Sequence, residues 1–195
     1  MPINISVPHL KPHNTKRSRF TRMCIGEAIV LLLQTESLEH LKVSAVAKKA
    51  GVSRMTFYHY YTCVTDALHD YFNEIIEEYI EADNNNASRG NFLEYEHVLF
   101  SLQFFDQYSD FFNAMAANGL HTLLLNGINR FMFEQVANLK PPGLSDKLLS
   151  TYEMTYYAGG LLNVFLAWEQ NGKKESPEDV ASIICKCKPG KSLYS

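Results

Sequence analysis

The sequence lacks the features that mark several large classes of protein. It has four cysteines, at positions 24, 63, 185 and 187, and no CxxC pair. This spacing favours ordinary reduced thiols over a disulfide framework or a metal site. The longest strongly apolar stretch, residues 159–168, is about half of a membrane span, and the N-terminus has no apolar core like that of a signal peptide. We therefore expect a cytoplasmic protein with no membrane contact, no metal and no cofactor.

Charge is also scarce, at 20% of residues, while 46% are apolar, so disorder is not expected as the main state. The 195 residues suit one compact unit, or a small module fused to a larger one. The net charge of −3 is unevenly distributed along the chain. Residues 1–62 hold nine basic and three acidic residues, whereas the remainder holds nine basic and eighteen acidic residues. A basic N-terminal third on an acidic body indicates a polyanionic partner at one end.

Strand-like alternation and internal repeats are absent from the sequence, whereas apolar spacings of three and four recur throughout. The cleanest example is the stretch 64–82, in which an apolar stripe faces a charged one. Ser176 and Pro177 form the start signal of a last helix. The pattern predicts an all-α chain of about nine helices, near residues 19–34, 44–50, 53–61, 64–82, 92–107, 109–117, 120–139, 145–170 and 177–187.

Residues 42–61 read KVSAVAKKAGVSRMTFYHYY, a pattern typical of two short helices joined by a tight turn. Small Ala47 and Ala50 let the helices cross closely, and Gly51 supplies the turn. Val52 fills the space between the helices, and Ser53 caps the second helix. This is the pattern of a helix-turn-helix, whose second helix can enter the major groove of DNA. Taken alone, it also fits any helical hairpin with a glycine turn.

The pattern on either side of the hairpin decides between these interpretations. It comprises Thr21, Arg22, Ile25 and Ala28, then Val43, Val46, Ala47, Ala50, Gly51, Val52, Ser53, Thr56, Phe57, Tyr58, Tyr60 and Tyr61. Over residues 18–80 the chain closely resembles the DNA-binding domain of the TetR family of bacterial transcriptional regulators. The C-terminal part is similar to the branch related to dihydroxyacetone-kinase operon regulators. That similarity rests on Tyr157-Ala158-Gly159-Gly160-Leu161-Leu162, Trp168, Asn171-Gly172 and Ser176-Pro177-Glu178.

The resemblance implies a flexible basic arm at 1–17, a DNA-binding domain at 18–63 and an effector-binding and dimerisation domain at 64–195. The helix at 64–82 would connect the last two. Arg54 would pair with guanine or a phosphate, and Met55 would contact a thymine methyl group. Phe57 is expected in the core, and one of Tyr60 and Tyr61 is expected to pack inward. The predicted contacts to double-stranded DNA are Lys16, Arg17, Arg19, Ser44, Ser53, Arg54, Met55, Thr56, Tyr58, His59 and Tyr61.

One position departs from the family pattern. Members often carry a lysine at the start of the fourth helix, where it pairs with a DNA phosphate, and Val64 stands there in this chain. Either DNA binding is weakened, or the backbone N–H groups at the start of that helix supply the contact.

The C-terminal domain is expected to hold a pocket for a small, largely apolar effector, although an aromatic stripe at helical spacing is also typical of plain core. The predicted pocket residues are Phe100, Phe104, Tyr108, Phe111, Met115, Phe131, Tyr152 and Tyr156. The last two helices are expected to pair with a second copy of the chain, because a glycine pair in mid-helix costs about 1 kcal/mol per glycine unless close packing offsets it. Close packing within one subunit is the alternative. The predicted dimer interface is Gly159, Gly160, Leu162, Phe165, Ile183 and Ile184.

The sequence thus predicts a homodimeric TetR-type repressor that binds a palindromic operator and is released by a small molecule. Two alternatives stay open. One is a TetR-like regulator that acts mainly through a protein partner and binds DNA weakly by itself. The other is an all-α enzyme, but the sequence offers no nucleophile–base pair, paired carboxylates, metal set or phosphate loop, so no catalytic residue is predicted.

Overall fold

The computed structural model describes residues 15–86, 94–136 and 147–187, and these residues are helical, with no strand among them. The predicted all-α class is confirmed. The helices are α1 (Lys16–Leu33), α2 (Val43–Lys49), α3 (Arg54–Tyr60), α4 (Val64–Asn85), α5 (Tyr95–Asp106), α6 (Ser109–Ala117), α7 (His121–Phe131), α8 (Lys147–Gln170) and α9 (Pro177–Lys186). A π-helical turn, Met132–Val136, follows α7.

Within these ranges no helix is both long and apolar enough to cross a membrane. The same part of the chain brings no three His, Cys, Asp or Glu side chains together as a metal-binding group.

The start of α1 differs from the predicted helix limit. The helix begins at Lys16, three residues before the predicted start, because the Thr15 hydroxyl caps it by accepting a hydrogen bond from the backbone N–H of Ser18 at 3.2 Å. Lys16 and Arg17 therefore belong to a helix and not to an arm. The rest of the predicted arm, residues 1–14, and the predicted break at Pro141, Pro142 and Gly143 lie outside the described residues.

The chain divides into two compact units, Met1–Tyr71 and Phe72–Ser195, with the boundary inside α4. The N-terminal unit holds α1 to α3 and the first part of α4 around a core of Ile25, Ile29, Val46, Phe57 and Leu68. Gly26 makes a close helix contact possible, since a Cβ atom there would lie 2.2 Å from the Tyr71 ring. Any larger residue at this position would push α1 away from α4.

The C-terminal unit has an aromatic core. The rings of Phe72 and Phe111 stack with centroids 5.5 Å apart, and Phe112 meets Phe165 edge to face at 4.9 Å. α5 packs against α9, and α7 packs against α8. Gly127 lets α7 approach α4, because a Cβ atom at this position would lie 2.4 Å from the Phe72 ring.

The connection between α8 and α9 gives a physical reason for the run Trp168, Asn171-Gly172, Ser176-Pro177-Glu178. Gly172 and Lys173 both have positive φ, at +76° and +52°, so the chain turns sharply after α8. The Trp168 indole N–H donates to the backbone oxygen of Glu175 at 2.9 Å, and the Ser176 hydroxyl caps α9. The turn, the indole and the cap together fix where α9 starts.

Candidate DNA interface and ligand cavity

The turn between α2 and α3 is set by interactions between residues close in sequence. Gly51 has φ +67°, and the next N–H, that of Val52, donates to the backbone oxygen of Ala47 at 2.9 Å. This 6→1 bond is the usual end of a helix that stops at a glycine. The Ser53 hydroxyl then accepts from the backbone N–H of Thr56 at 2.9 Å and starts α3. The predicted glycine turn and serine cap are both present.

One face of α3 is buried and the other is open. Phe57 is fully buried, with its ring 5.6 Å from that of Tyr61. Arg54, Tyr58 and His59 are exposed, and the Met55 side chain is 80% exposed. The open face of α3 therefore presents one cationic, one apolar and two polar aromatic side chains to solvent.

The other predicted contacts fall into two groups. Lys16, Arg17 and Ser44 are exposed, whereas Arg19 and Thr56 are half-buried. The Thr56 hydroxyl lies 2.9 Å from the Ser53 hydroxyl, so it takes part in the cap of α3.

Tyr61 is not on the open face. Its ring is only 3% exposed, and its hydroxyl donates to Oδ2 of Asp70 at 2.6 Å. The same carboxylate accepts two hydrogen bonds from Nη1 of Arg22, at 2.7 and 2.8 Å. A buried carboxylate needs such hydrogen-bond partners, so Tyr61 is held in the interior and not on the exposed face of α3. Tyr61 therefore leaves the set of candidate DNA contacts, and Tyr60 is the partly exposed member of the pair.

The start of α4 differs from a phosphate-binding helix start. Val64 is buried, and the backbone N–H groups of Thr62 and Cys63 donate to Oδ2 of Asp66 at 3.1 and 3.3 Å. Burial opposes ionisation of this carboxyl, but hydrogen bonds from the side chains and backbone of Thr62 and Cys63 outweigh it and lower the pKa of Asp66. A carboxylate thus occupies the N–H groups that the sequence interpretation offered to a phosphate.

The C-terminal unit encloses a cavity of about 80 Å³ lined by α4, α5, α6, α7, the π-helical turn and α8. Its wall is almost wholly apolar, with Ile76 from α4, Leu102 and Phe105 from α5, Ile128 from α7 and Leu161 from α8. A concave apolar space with few polar groups is the usual form of a small-molecule site.

Three polar side chains, from Tyr79, His97 and Ser101, stand in this wall. The Tyr79 hydroxyl lies 3.1 Å from Nε2 of His97 and 2.8 Å from the Ser101 hydroxyl, which donates to the backbone oxygen of His97 at 2.8 Å. Nδ1 of His97 lies 3.5 Å from Oδ1 of Asp83. The polar atoms therefore face one another across α4 and α5, and the cavity surface stays apolar.

Most of the predicted pocket residues lie elsewhere. Phe131 lines the cavity, but Phe111 and Met115 are packed in the core. Tyr152 and Tyr156 are 66% and 61% exposed. Phe100 and Phe104 pack on the outer side of the Tyr79 ring, with centroids 5.9 and 5.4 Å away, and Tyr108 donates to Glu78 at 2.5 Å.

The difference arises on α5, where the residues that line the cavity lie on the stripe next to the predicted one. The lining residues 97, 98, 101, 102 and 105 form one stripe, and Phe100, Phe104 and Tyr108 form its neighbour. The available signal was His97 and Ser101, a polar pair four residues apart on an otherwise aromatic helix, since buried polar groups on one face must find partners.

The predicted dimer residues also divide. An ideal Cβ atom at Gly159 or Gly160 would meet no atom of the described residues within 4 Å, so packing against this part of the subunit does not explain the glycine pair. Ile183 is exposed and Ile184 is half-buried. Leu162 and Phe165, however, are buried and line the cavity, so they are removed from the predicted interface.

A known protein family matches the C-terminal region of the chain. Residues 95–187 match the TetR_C_8 family, described as a transcriptional regulator C-terminal region. No curated protein matches the chain.

Solved structures share the fold. The chain is similar to the dihydroxyacetone kinase operon activator DhaS, at 19% identity over 84% of this chain and 91% of that one, with a TM-score of 0.57. It is similar to the fatty acid degradation regulator FadR from Bacillus halodurans, at 17% identity over 85% and 93%, TM-score 0.56. A tetR-family transcriptional regulator from Streptomyces coelicolor gives 15% identity over 86% and 78%, TM-score 0.56.

Proposed function

We propose that this chain, which shares its fold with solved TetR-family regulators and matches the TetR_C_8 model over residues 95–187, is a cytoplasmic, non-catalytic repressor that binds a palindromic operator as a homodimer. A small apolar molecule in the C-terminal cavity releases it from DNA.

The observation that carries the DNA-binding part is the structure of α3. Its inner face is anchored by Phe57, and its outer face presents Arg54, Met55 and Tyr58 to solvent. Arginine can pair bidentately with guanine, methionine can contact a thymine methyl group and tyrosine can bond a phosphate. These three groups supply both base readout and positioning.

The homodimer is supported by α8. Gly159 and Gly160 lower helix stability by about 1 kcal/mol each, and nothing in the described part of the subunit needs their small size. Tyr152 and Tyr156 are exposed on the same helix. Close approach of the same helix from a second copy would cover these aromatic side chains and offset the cost of the glycines.

Release by an effector is supported by α4. This one helix contributes Asp70 to the network with Tyr61 and contributes Ile76 and Tyr79 to the cavity wall. A ligand that displaces the cavity part of α4 would change the position of the part that holds α3. It must bind the DNA-free conformation more tightly for the equilibrium to shift.

A selection from random duplexes, followed by sedimentation of the selected complex, tests this proposal. We expect a palindrome whose half-sites lie about 10 base pairs apart, or a multiple of that, with two chains or a multiple of two on each duplex. Enrichment of a single unrepeated site, or a complex with one chain, would contradict the dimeric operator reader.

A second function is favoured by the start of α4. Val64 takes the place of the phosphate-binding lysine, and the ionised Asp66 carboxylate lies beside it, which disfavours a phosphate there. DhaS, to which the chain is similar, is named an operon activator. In this alternative the chain activates transcription with a protein partner that adds DNA affinity. Recovery of a stable heteromeric partner, together with weak DNA binding by the isolated chain, would support it over the repressor.

A further inference from the structure

The charge and size of the cavity restrict its ligand more narrowly than its apolar character alone. We infer that the cavity takes a small uncharged molecule, with a hydrocarbon body and at most one hydrogen-bonding group, and that it rejects carboxylate anions. The inference rests on the proposed function, in which this cavity is the effector site.

The first argument is charge. Among the described residues, no Lys, Arg, Asp or Glu side chain lines the cavity. A carboxylate that entered it would lose its hydration and gain no cation, which is strongly unfavourable. His97 does not remove this penalty, because Nδ1 lies 3.5 Å from Oδ1 of Asp83 and a positive charge on the imidazole would already be balanced there.

The second argument concerns hydrogen bonds. The Tyr79 and Ser101 hydroxyls lie 2.8 Å apart, and each can rotate its hydrogen. A ligand hydroxyl or carbonyl can take one of these bonds in exchange for another, so one polar group is tolerated. A second polar group would face only apolar side chains such as Leu102, Ile128 and Leu161.

The third argument is volume. The cavity of about 80 Å³ is smaller than the engineered apolar cavity of about 150 Å³ that binds benzene. A molecule smaller than benzene therefore fits without rearrangement. The wall at Met132 is where α7 gives way to the π-helical turn, and methionine is the most adaptable apolar side chain. We therefore expect this side chain to move first when a larger molecule enters.

The experiment measures the melting temperature of the full chain by circular dichroism, without DNA, in matched pairs of compounds. The pairs are 1-butanol with butyrate and phenol with benzoate, and both members of a pair are used at the same concentration. At a concentration near ten times the Kd of butanol, we expect butanol to raise Tm by about 3 °C or more. Butyrate and benzoate should each give less than a fifth of the shift of the neutral partner. An equal or larger shift with an anion, or no shift with any neutral compound, would overturn the inference.

Two variants locate the binding. Ile128→Phe fills the cavity and should abolish the butanol shift. Met132→Ala enlarges it and should raise the affinity for phenol about tenfold, whereas Met115→Ala, which removes the same atoms from a core position outside the lining, should not. If Met132→Ala does not fold, Met132→Val serves as the milder truncation. A gain in the Met115 variant equal to that in the Met132 variant would count against the site.

Different results would contradict the inferred ligand class and the proposed release by an effector. If neutral compounds bind but leave the operator complex intact, the ligand class stands and release by an effector falls. If butyrate releases the operator complex by binding in this cavity, release by an effector stands and the inferred ligand class falls.

Discussion

In the N-terminal unit the end of α3 is held by polar groups, whereas in the C-terminal unit the cavity wall consists almost wholly of apolar ones. Tyr61, which directly follows α3, is fixed by a short hydrogen bond to Asp70, and Arg22 holds the same carboxylate. Around the cavity, by contrast, the side chains of Ile76, Leu102 and Phe165 carry no polar atom and can make only van der Waals contacts.

The difference matters because the two kinds of contact respond differently to displacement. A charge-assisted hydrogen bond at 2.6–2.8 Å has one good geometry, so it fixes the position of α3. Apolar side chains can repack around a new occupant when their total volume is conserved. The N-terminal unit is thus suited to reading a fixed surface, and the C-terminal unit is suited to accepting a ligand.

The largest effect is expected from removal of the buried carboxylate. Asp70→Ala should lower the free energy of unfolding by about 3–5 kcal/mol, because Arg22 and Tyr61 lose the acceptor they share. Urea unfolding followed by circular dichroism measures this, with exposed Glu77→Ala on the same helix as the control. A loss below about 1 kcal/mol would mean that polar contacts do not fix the N-terminal unit.

The next largest effect is the loss of stability when a helical glycine in either unit is replaced by alanine. Gly26→Ala and Gly127→Ala each place a Cβ atom within 2.4 Å of a ring, so each should lower stability by about 1–3 kcal/mol. We expect the smaller loss at Gly127, because the Phe72 ring adjoins the more adaptable unit. Gly160→Ala, with no atom of the described chain within 4 Å, is the control when unfolding is measured on the monomer, because the proposed homodimer would bring a second copy to this position. A larger loss of stability for Gly127→Ala than for Gly26→Ala would contradict the view that the C-terminal unit is the more adaptable one.

A third prediction concerns the exposed face of α3. Arg54→Ala should weaken operator binding by about 1–3 kcal/mol and relax the sequence preference if Arg54 reads a base, or weaken all duplexes alike if it binds a phosphate. Titration by fluorescence anisotropy distinguishes these results. Lys174→Ala removes an equally exposed cation from the C-terminal unit and should leave the affinity unchanged. Equal behaviour of the two variants would remove Arg54 from the interface.

The smallest effect is expected at the start of α4. Because the folded-state pKa of Asp66 is lowered, its contribution to stability is present above the unfolded pKa near 3.8 and is lost as the pH falls through the folded value. Asp66→Asn should therefore cost about 0.5 kcal/mol at pH 7, and the difference from the native chain should vanish at the lowest pH. Thermal unfolding at a series of pH values measures it. A difference that grows toward acid pH would contradict the assignment.

The same contrast explains which parts of the site could be predicted. Gly51 and Ser53 act through bonds between residues no more than five apart along the chain, so their roles follow from spacing alone. Local spacing does not decide between Tyr60 and Tyr61. The choice depends on Asp70, nine residues beyond Tyr61 and on another helix.

In the C-terminal unit the helices were predictable but their inward faces were not. α5 is apolar on two adjacent stripes, and packing against α4 and α8 selects the one with His97 and Leu102 for the cavity. Leu162 and Phe165 were predicted on an outer face for the same reason, since α8 is apolar on most sides. Which stripe of such a helix is buried depends on its neighbours in space and not on its own period.

The most direct test of the account is the affinity of the chain for the DNA upstream of its own gene, measured by fluorescence anisotropy against a scrambled duplex at two salt concentrations. The account predicts tight binding to the upstream DNA, much weaker binding to the scrambled duplex and a steep loss of affinity with salt. Weak and equal binding to both duplexes would contradict an operator-reading repressor and favour a regulator that acts through a partner.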